Sequence, residues 1–264
     1  GEWYFSSIVE DANKVVWASS SSGEIFLLDA SSGQFKQVNF DASAFDIKSV
    51  TRLALVKNIL FVGTDVGLFK MNTASKKLTV LNLSLGKPRV NELFVDGELL
   101  WIGTEGKGLI QYNLKKGTTV NYKHAAGQES SLADNDVRGI SKDEQGNLWL
   151  GTFNGLSILD LKANTFQNYY HRASVPYTIN QNSVRCVYRD KQNGMWMGTF
   201  YGGINYYHHN DIKFNLLNQS TGALSLNDQV VNVIKQDNKG DFWIGTNDKG
   251  LNYWDRKAGT IKYY

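Results

Sequence analysis

Four aspartates, Asp11, Asp143, Asp190 and Asp237, each stand six residues before a tryptophan. A carboxylate repeated at one offset could serve acid–base chemistry. It could equally cap a turn, its side chain accepting backbone N–H bonds two residues on. Each of these aspartates opens a Gly/Asn-containing stretch between apolar runs, so turn capping is the expected role. The four histidines are His124, His171, His208 and His209. The last two are neighbours, which in a strand point to opposite faces. No Cys/His/Asp spacing matches a zinc site, and none of the nucleophile-elbow, phosphate-loop or H-E-x-x-H motifs occurs. The single cysteine, Cys186, falls where the repeat described below has Gly139 and Val233, and a buried, inert thiol is expected. The residues therefore predict no metal, no cofactor and no catalytic constellation. The remaining candidates are polar: Arg138 and Arg185, each directly after a valine, with Asn135 and Asn182 three residues before them.

What positions these residues is a repeat. "LWIGTEGKGL" (100–109), "LWLGTFNGL" (148–156), "MWMGTFYGGI" (195–204) and "FWIGTNDKGL" (242–251) are nearly one phrase. Aligned on its aromatic residue, the chain places Trp17, Phe61, Trp101, Trp149, Trp196 and Trp243 at spacings of 44, 40, 48, 47 and 47 residues. Periods in this range mark arrays and propellers. The fourth unit reads as four strands, "VRGISKD", "LWLGTF", "LSILDL" and "FQNYYH", separated by Asp, Asn and Gly. The second strand is apolar on consecutive residues, whereas a strand with one wet face alternates. It must be covered on both faces, as in a blade packed between two other blades. The glycine two residues after the aromatic (Gly63, Gly103, Gly151, Gly198, Gly245) implies close backbone approach. The next glycine (Gly67, Gly108, Gly155, Gly202, Gly250) suits a turn at positive φ.

The predicted fold is therefore all-β: a β-propeller of six four-stranded blades, closed as a six-blade ring or part of a seven-blade ring. One domain over 1–264 is expected, with blades near 5–40, 48–83, 89–124, 137–171, 184–219 and 231–264. The chain's 264 residues, 42% hydrophobic, suffice for such a core. The net charge of +3 comes with no run of more than two like charges, which argues against nucleic-acid binding. No stretch approaches 18 consecutive apolar residues, so no membrane-spanning helix and no direct membrane contact are expected. The N-terminal "GEWYFSS" shows no signal-peptide pattern.

The repeat resembles that of two-component regulator propellers. In the fourth unit the resemblance rests on Val137, Ile140, Asp143, Gly146, Leu148, Trp149, Gly151, Thr152, Gly155 and Leu156. It extends to the lead-ins "SLADNDV", "TINQNSV" and "SLNDQVV". It covers nearly the whole chain, strongly from the third unit on and weakly in the first, where Ser19-Ser20 replaces Gly-Thr. The resemblance implies a non-catalytic sensor module from the periplasmic region of a hybrid two-component histidine kinase, of a kind that responds to polysaccharide breakdown products. The implied partners are an oligosaccharide, the rest of the sensor and, in some cases, a second copy of the chain. An enzyme of the polysaccharide-lyase or quinoprotein kind is the alternative, the latter on the single phrase "LLDASSGQF". A pure interaction or dimerisation scaffold is a third reading.

Loops on a rigid scaffold carry function. The candidate ligand-binding set is Arg138, Arg185, Asn135, Asn182, Phe153, Asn154, Phe200 and Tyr201. Aromatic faces beside amide and guanidinium groups suit a sugar, and paired arginines suit its sulfate or carboxylate substituents. The alternative for each residue is an ordinary wet loop, with the arginines paired to aspartates of the chain.

Overall fold

The computed structural model describes residues 4–11, 13–40, 45–83, 85–172, 178–209 and 224–264. They form six sheets of strands joined in chain order, every neighbouring pair antiparallel. The first sheet is β1 (Phe5–Glu10), β2 (Val16–Ser20), β3 (Ile25–Asp29) and β4 (Gln34–Gln37). The second is β5 (Val50–Val56), β6 (Ile59–Thr64), β7 (Gly67–Asn72) and β8 (Leu78–Leu81). The third is β9 (Val90–Asp96), β10 (Leu99–Thr104), β11 (Leu109–Asn113) and β12 (Thr119–Tyr122). The fourth is β13 (Val137–Lys142), β14 (Leu148–Thr152), β15 (Gly155–Asp160) and β16 (Thr165–Tyr169). The fifth has β17 (Val184–Arg189), β18 (Met195–Thr199) and β19 (Ile204–Tyr207); its expected fourth strand, near 214–219, lies outside the described residues. The sixth is β20 (Val231–Gln236), β21 (Phe242–Thr246), β22 (Leu251–Asp255) and β23 (Thr260–Tyr263).

The all-β blade architecture expected from the repeat is present, and no helix among the described residues is long and apolar enough to cross a membrane. The chain divides into two compact units, residues 1–209 with the first five blades and 210–264 with the sixth.

Within the larger unit, the doubly covered strand is as expected: all of β14, and all of β10 after Leu99, is buried. The repeated aromatic side chain forms the wedge between blades. Trp17 packs with Leu60 and Met71 of the second sheet, Trp101 with Leu148 and Leu159 of the fourth, and Trp149 with Val184 and Met195 of the fifth. The glycine that follows admits the next blade's first valine. A Cβ on Gly151 would lie 2.8 Å from Cγ1 of Val184, and one on Gly103 would lie 2.9 Å from the carbonyl oxygen of Val137. The turn glycine has positive φ at Gly67, Gly108, Gly155 and Gly250. In the fifth blade Gly203, at φ 82°, takes this place rather than the expected Gly202, because the turn there is one residue longer than in the second and fourth blades and equal to that in the third and sixth.

The repeated aspartates are turn caps, and at Asp143 and Asp190 the structure adds a second duty. Asp143 accepts the backbone N–H of Asn147 and, 2.9 Å away, the indole N–H of Trp149. Asp190 accepts backbone N–H bonds from Gln192 and Gly194, and the Trp196 indole N–H at 2.6 Å. The indole bond, with the two backbone bonds, holds the Asp190 carboxyl below its ordinary range despite opposing desolvation. A depressed carboxylate stabilises the fold above its unfolded pKa, near 4, and that contribution disappears as pH falls through the folded value. Asp190→Ala is thus expected to destabilise the protein in denaturant melts at pH 6, with the gap to wild type closing at pH 2–3. A gap unchanged by acid would refute the ionised cap.

Candidate ligand-binding mouth

The inner strand of every sheet carries a β-bulge at the same point. Pairing with the second strand slips between Phe5 and Ser7, Val50 and Arg52, Val137 and Gly139, Val184 and Cys186, and Val231 and Val233. In the third sheet, Thr104 pairs with Val90 while Gly103 pairs with Glu92. The unpaired residues are Ser6, Thr51, Asn91, Arg138, Arg185 and Asn232. A bulge bends the strand and re-aims the extra side chain, which is why bulges gather beside functional sites. In the larger unit all five such residues, Ser6 to Arg185, line one cavity of about 600 Å³.

Four of the five also reach the following blade. Ser6 Oγ donates to the Val50 carbonyl, Thr51 Oγ1 to that of Val90, Asn91 Nδ2 to Asp136 at 2.8 Å, and Arg138 Nη1 to Ser183 Oγ at 3.1 Å. The bulges therefore both latch blade to blade and present polar groups to the mouth.

The mouth is rich in arginine: Arg52, Arg89, Arg138 and Arg185 line it. Arg52 pairs with Glu92 at 2.9 Å and Arg89 with Glu105 at 3.7 Å. Burial raises the pKa of Glu92, and the charge of Arg52 pulls against that rise. Arg138 makes a forked contact to Asp136 Oδ2, at 3.1 and 2.8 Å, the pairing to an aspartate of the chain that was the alternative to a ligand contact. Among the described residues Arg185 makes no ion pair. It is exposed, and its guanidinium lies 5.1 Å from the centre of the Phe200 ring. Arg138 lies 4.6 Å over Phe153 in the same way.

Of the residues singled out from sequence, the structure thus brings together Arg138 with Phe153 and Arg185 with Phe200. Tyr201 stands edge-on to Phe200 at 4.2 Å and is the most exposed of the three rings. Asn154 is exposed on the turn after β14. Asn135 and Asn182 are placed differently. Their side-chain oxygens accept the backbone N–H groups of His124 and His171, at 2.9 and 2.6 Å, and their own carbonyls accept from Gly108 and Gly155. They fasten the exit of the fourth strand to the lead-in of the next blade. His124 and His171 complete this junction, each ring Nδ1 lying 2.8 Å from a lead-in carbonyl, Leu132 or Ile179.

Cys186 departs from expectation: it is exposed and lines the mouth. It follows the bulge directly, and its Sγ takes the space a Cβ on Gly198 would need, 2.6 Å away. Sequence reasoning missed Ser6, Thr51, Arg52 and Arg89. The signal was available in part, since the residue after each blade's opening Val (Phe in the first) is polar in all six units.

Residues 131–154, 178–201 and 225–248 match the two component regulator propeller family. Over those three stretches the chain is similar to the two component regulator propeller repeat. Each match runs from the lead-in through the wedge tryptophan to the turn that holds Phe153, Tyr201 or Asp248. No curated protein matches the chain in sequence. Among solved structures, it is similar to an extracellular domain assigned to a hybrid two component system of B. thetaiotaomicron. The TM-score is 0.67 at 18% identity, over 99% of this chain and 41% of that one. The chain thus spans about two fifths of that domain's length. It is also similar to virginiamycin B lyase from Staphylococcus aureus, with a TM-score of 0.56 at 11% identity, over 99% of this chain and 84% of that one. Likeness at these identities concerns the fold.

Proposed function

We propose that the chain is a non-catalytic ligand-sensing module of the extracellular, periplasmic part of a hybrid two-component sensor, and that it recognises an oligosaccharide carrying an acidic or sulfated group. One observation carries the reading: five bulge-aimed polar side chains surround a single mouth, and Arg185, stacked on Phe200, has a charge that no carboxylate among the described residues neutralises. A guanidinium beside aromatic faces provides both charge pairing and a ring platform for a sugar. The repeats and the similar extracellular domain supply the sensor context, and the rest of the sensor is the partner that would read the bound state. The lyase likeness favours a second reading, catalysis on the same scaffold, and a polysaccharide-cleavage assay separates the two.

The test is a thermal-shift panel of neutral, carboxylated and sulfated oligosaccharides, since a ligand bound only to the folded state raises the melting point by mass action. Arg185→Ala is expected to leave the unliganded melting point unchanged and to abolish the shift. The wild-type shift should shrink as salt rises toward 0.5 M, where screening over about a Debye length weakens a surface ion pair. A shift that survives Arg185→Ala, or no shift with any anionic sugar, would overturn the site.

A further inference from the structure

One wedge in the repeat is filled by a smaller ring. Where five units have tryptophan, the second has Phe61. Beside it, between the second and third sheets, lies a cleft of about 480 Å³. Its apolar wall is Ile59, Phe61 and Leu81 from the second sheet, with Tyr112 and Leu114 from the third. It opens at the end of the blades opposite the mouth: Ile59 begins β6, whereas Thr64, opposite the bulge, ends it.

The row of side chains crossing this sheet also differs from that in the first and fourth sheets. Phe61 pairs with Lys70, and Lys70 with Thr79. In the first and fourth sheets the same third-strand place holds apolar Leu27 and Ile158, opposite Trp17 and Trp149. Lys70 and Lys77 both line the cleft, both are exposed, and among the described residues neither makes an ion pair. At the preceding junction the wedge is the larger Trp17, buried as Phe61 is, and the Lys76 ammonium lies 4.1 Å over its ring.

We propose that this cleft binds a small planar aromatic carboxylate. The ring lies against Phe61 and Tyr112 on the side where sister blades carry the second ring of an indole, and the carboxylate meets Lys70 and Lys77. The cleft falls within the usual volume of small-ligand sites, and offset aromatic contact adds to area burial. An apolar floor with two cations at its rim disfavours a neutral sugar and favours an anion with a flat hydrophobic body. This inference stands apart from the mouth, and Arg185→Ala should not affect it.

The experiment uses indole-3-carboxylate as probe and indole as neutral control, titrated into the protein by ligand-observed NMR. Wild type is expected to bind the carboxylate saturably. Phe61→Trp, which extends the wedge into the cleft and restores the side chain of the sister blades, should remove that binding while the melting point holds or rises. Lys70→Gln/Lys77→Gln should weaken the carboxylate about fivefold, the sum of two exposed ion pairs, and leave indole unchanged. Absence of saturable binding to wild type, binding that persists in Phe61→Trp, or equal losses for the two probes in the lysine variant would each overturn the proposal.

Discussion

Trp149→Ala is expected to destabilise the fold by about 3–5 kcal/mol, the usual cost of truncating a buried aromatic residue. The indole is 5% exposed and packs against Val184 and Met195 of the next blade, with the Tyr207 ring 5.3 Å away. Its N–H donates to Asp143, so truncation leaves both a hole between blades and a buried carboxylate short of one donor. Two companion variants apportion the loss. Trp149→Phe keeps most of the wedge and is expected to cost about 1–2 kcal/mol, roughly the hydrogen bond plus a small void. The second blade already packs with Phe61 at this place. Trp196→Ala should cost less than Trp149→Ala, because Trp196 is 40% exposed. A Trp149→Ala loss below about 1 kcal/mol in urea melts would mean the residue is not the inter-blade wedge.

The contrast between Trp149 and Phe61 shows what could be read from the sequence. Aromatic position, glycine approach and aspartate cap follow from residue type at a fixed period, because each answers a local steric or hydrogen-bonding demand that the repeat states several times. The bulge does not. A bulge changes which backbone groups pair, not which residue types occupy the strand, so the side-chain pattern of "VRGIS" reads the same with or without it. With the bulge unseen, the polar column Ser6, Thr51, Asn91, Arg138, Arg185 stood out as a binding feature only at its two charged members, although its polar type recurs after each blade's opening residue. Asn135 and Asn182 were legible as polar loop residues, but their engagement with His124 and His171 depends on the path of the fourth strand, which the repeat states only loosely. The exposure of Cys186 was misread for a related reason: its counterparts Gly139 and Val233 suggested a small buried side chain, and Val233 is itself 59% exposed.

That junction is where the second large effect is expected. Gly108→Ala should destabilise the protein by at least about 2 kcal/mol, combining a strained φ with a backbone clash. Gly108 has φ 81°, and a Cβ there would lie 2.2 Å from the Tyr122 carbonyl oxygen, a backbone atom that no rotamer change can move. The same residue donates its N–H to the Asn135 carbonyl at 2.8 Å, and its own carbonyl accepts from Thr104 N and Oγ1. Gly250 repeats the arrangement, with a Cβ 2.4 Å from the Tyr264 oxygen at the same φ, so the contact belongs to the blade and not to one loop. Gly106, two residues away, is the control. Its φ is 72°, but a Cβ there would meet nothing within 4 Å. Gly106→Ala therefore bears only the backbone strain, about 1 kcal/mol. Relief of the clash at Gly108 requires the fourth strand and the 131–137 lead-in to separate. Asp136 lies one residue beyond Asn135 on that lead-in, and it holds both Asn91 and Arg138 at the mouth. Gly108→Ala should accordingly weaken any ligand that depends on the ordered mouth, although it lies outside the cavity lining. Equal stability losses for the two alanine variants in urea melts would show that the Tyr122 contact sets no limit, and the coupling from turn to mouth would fall with it.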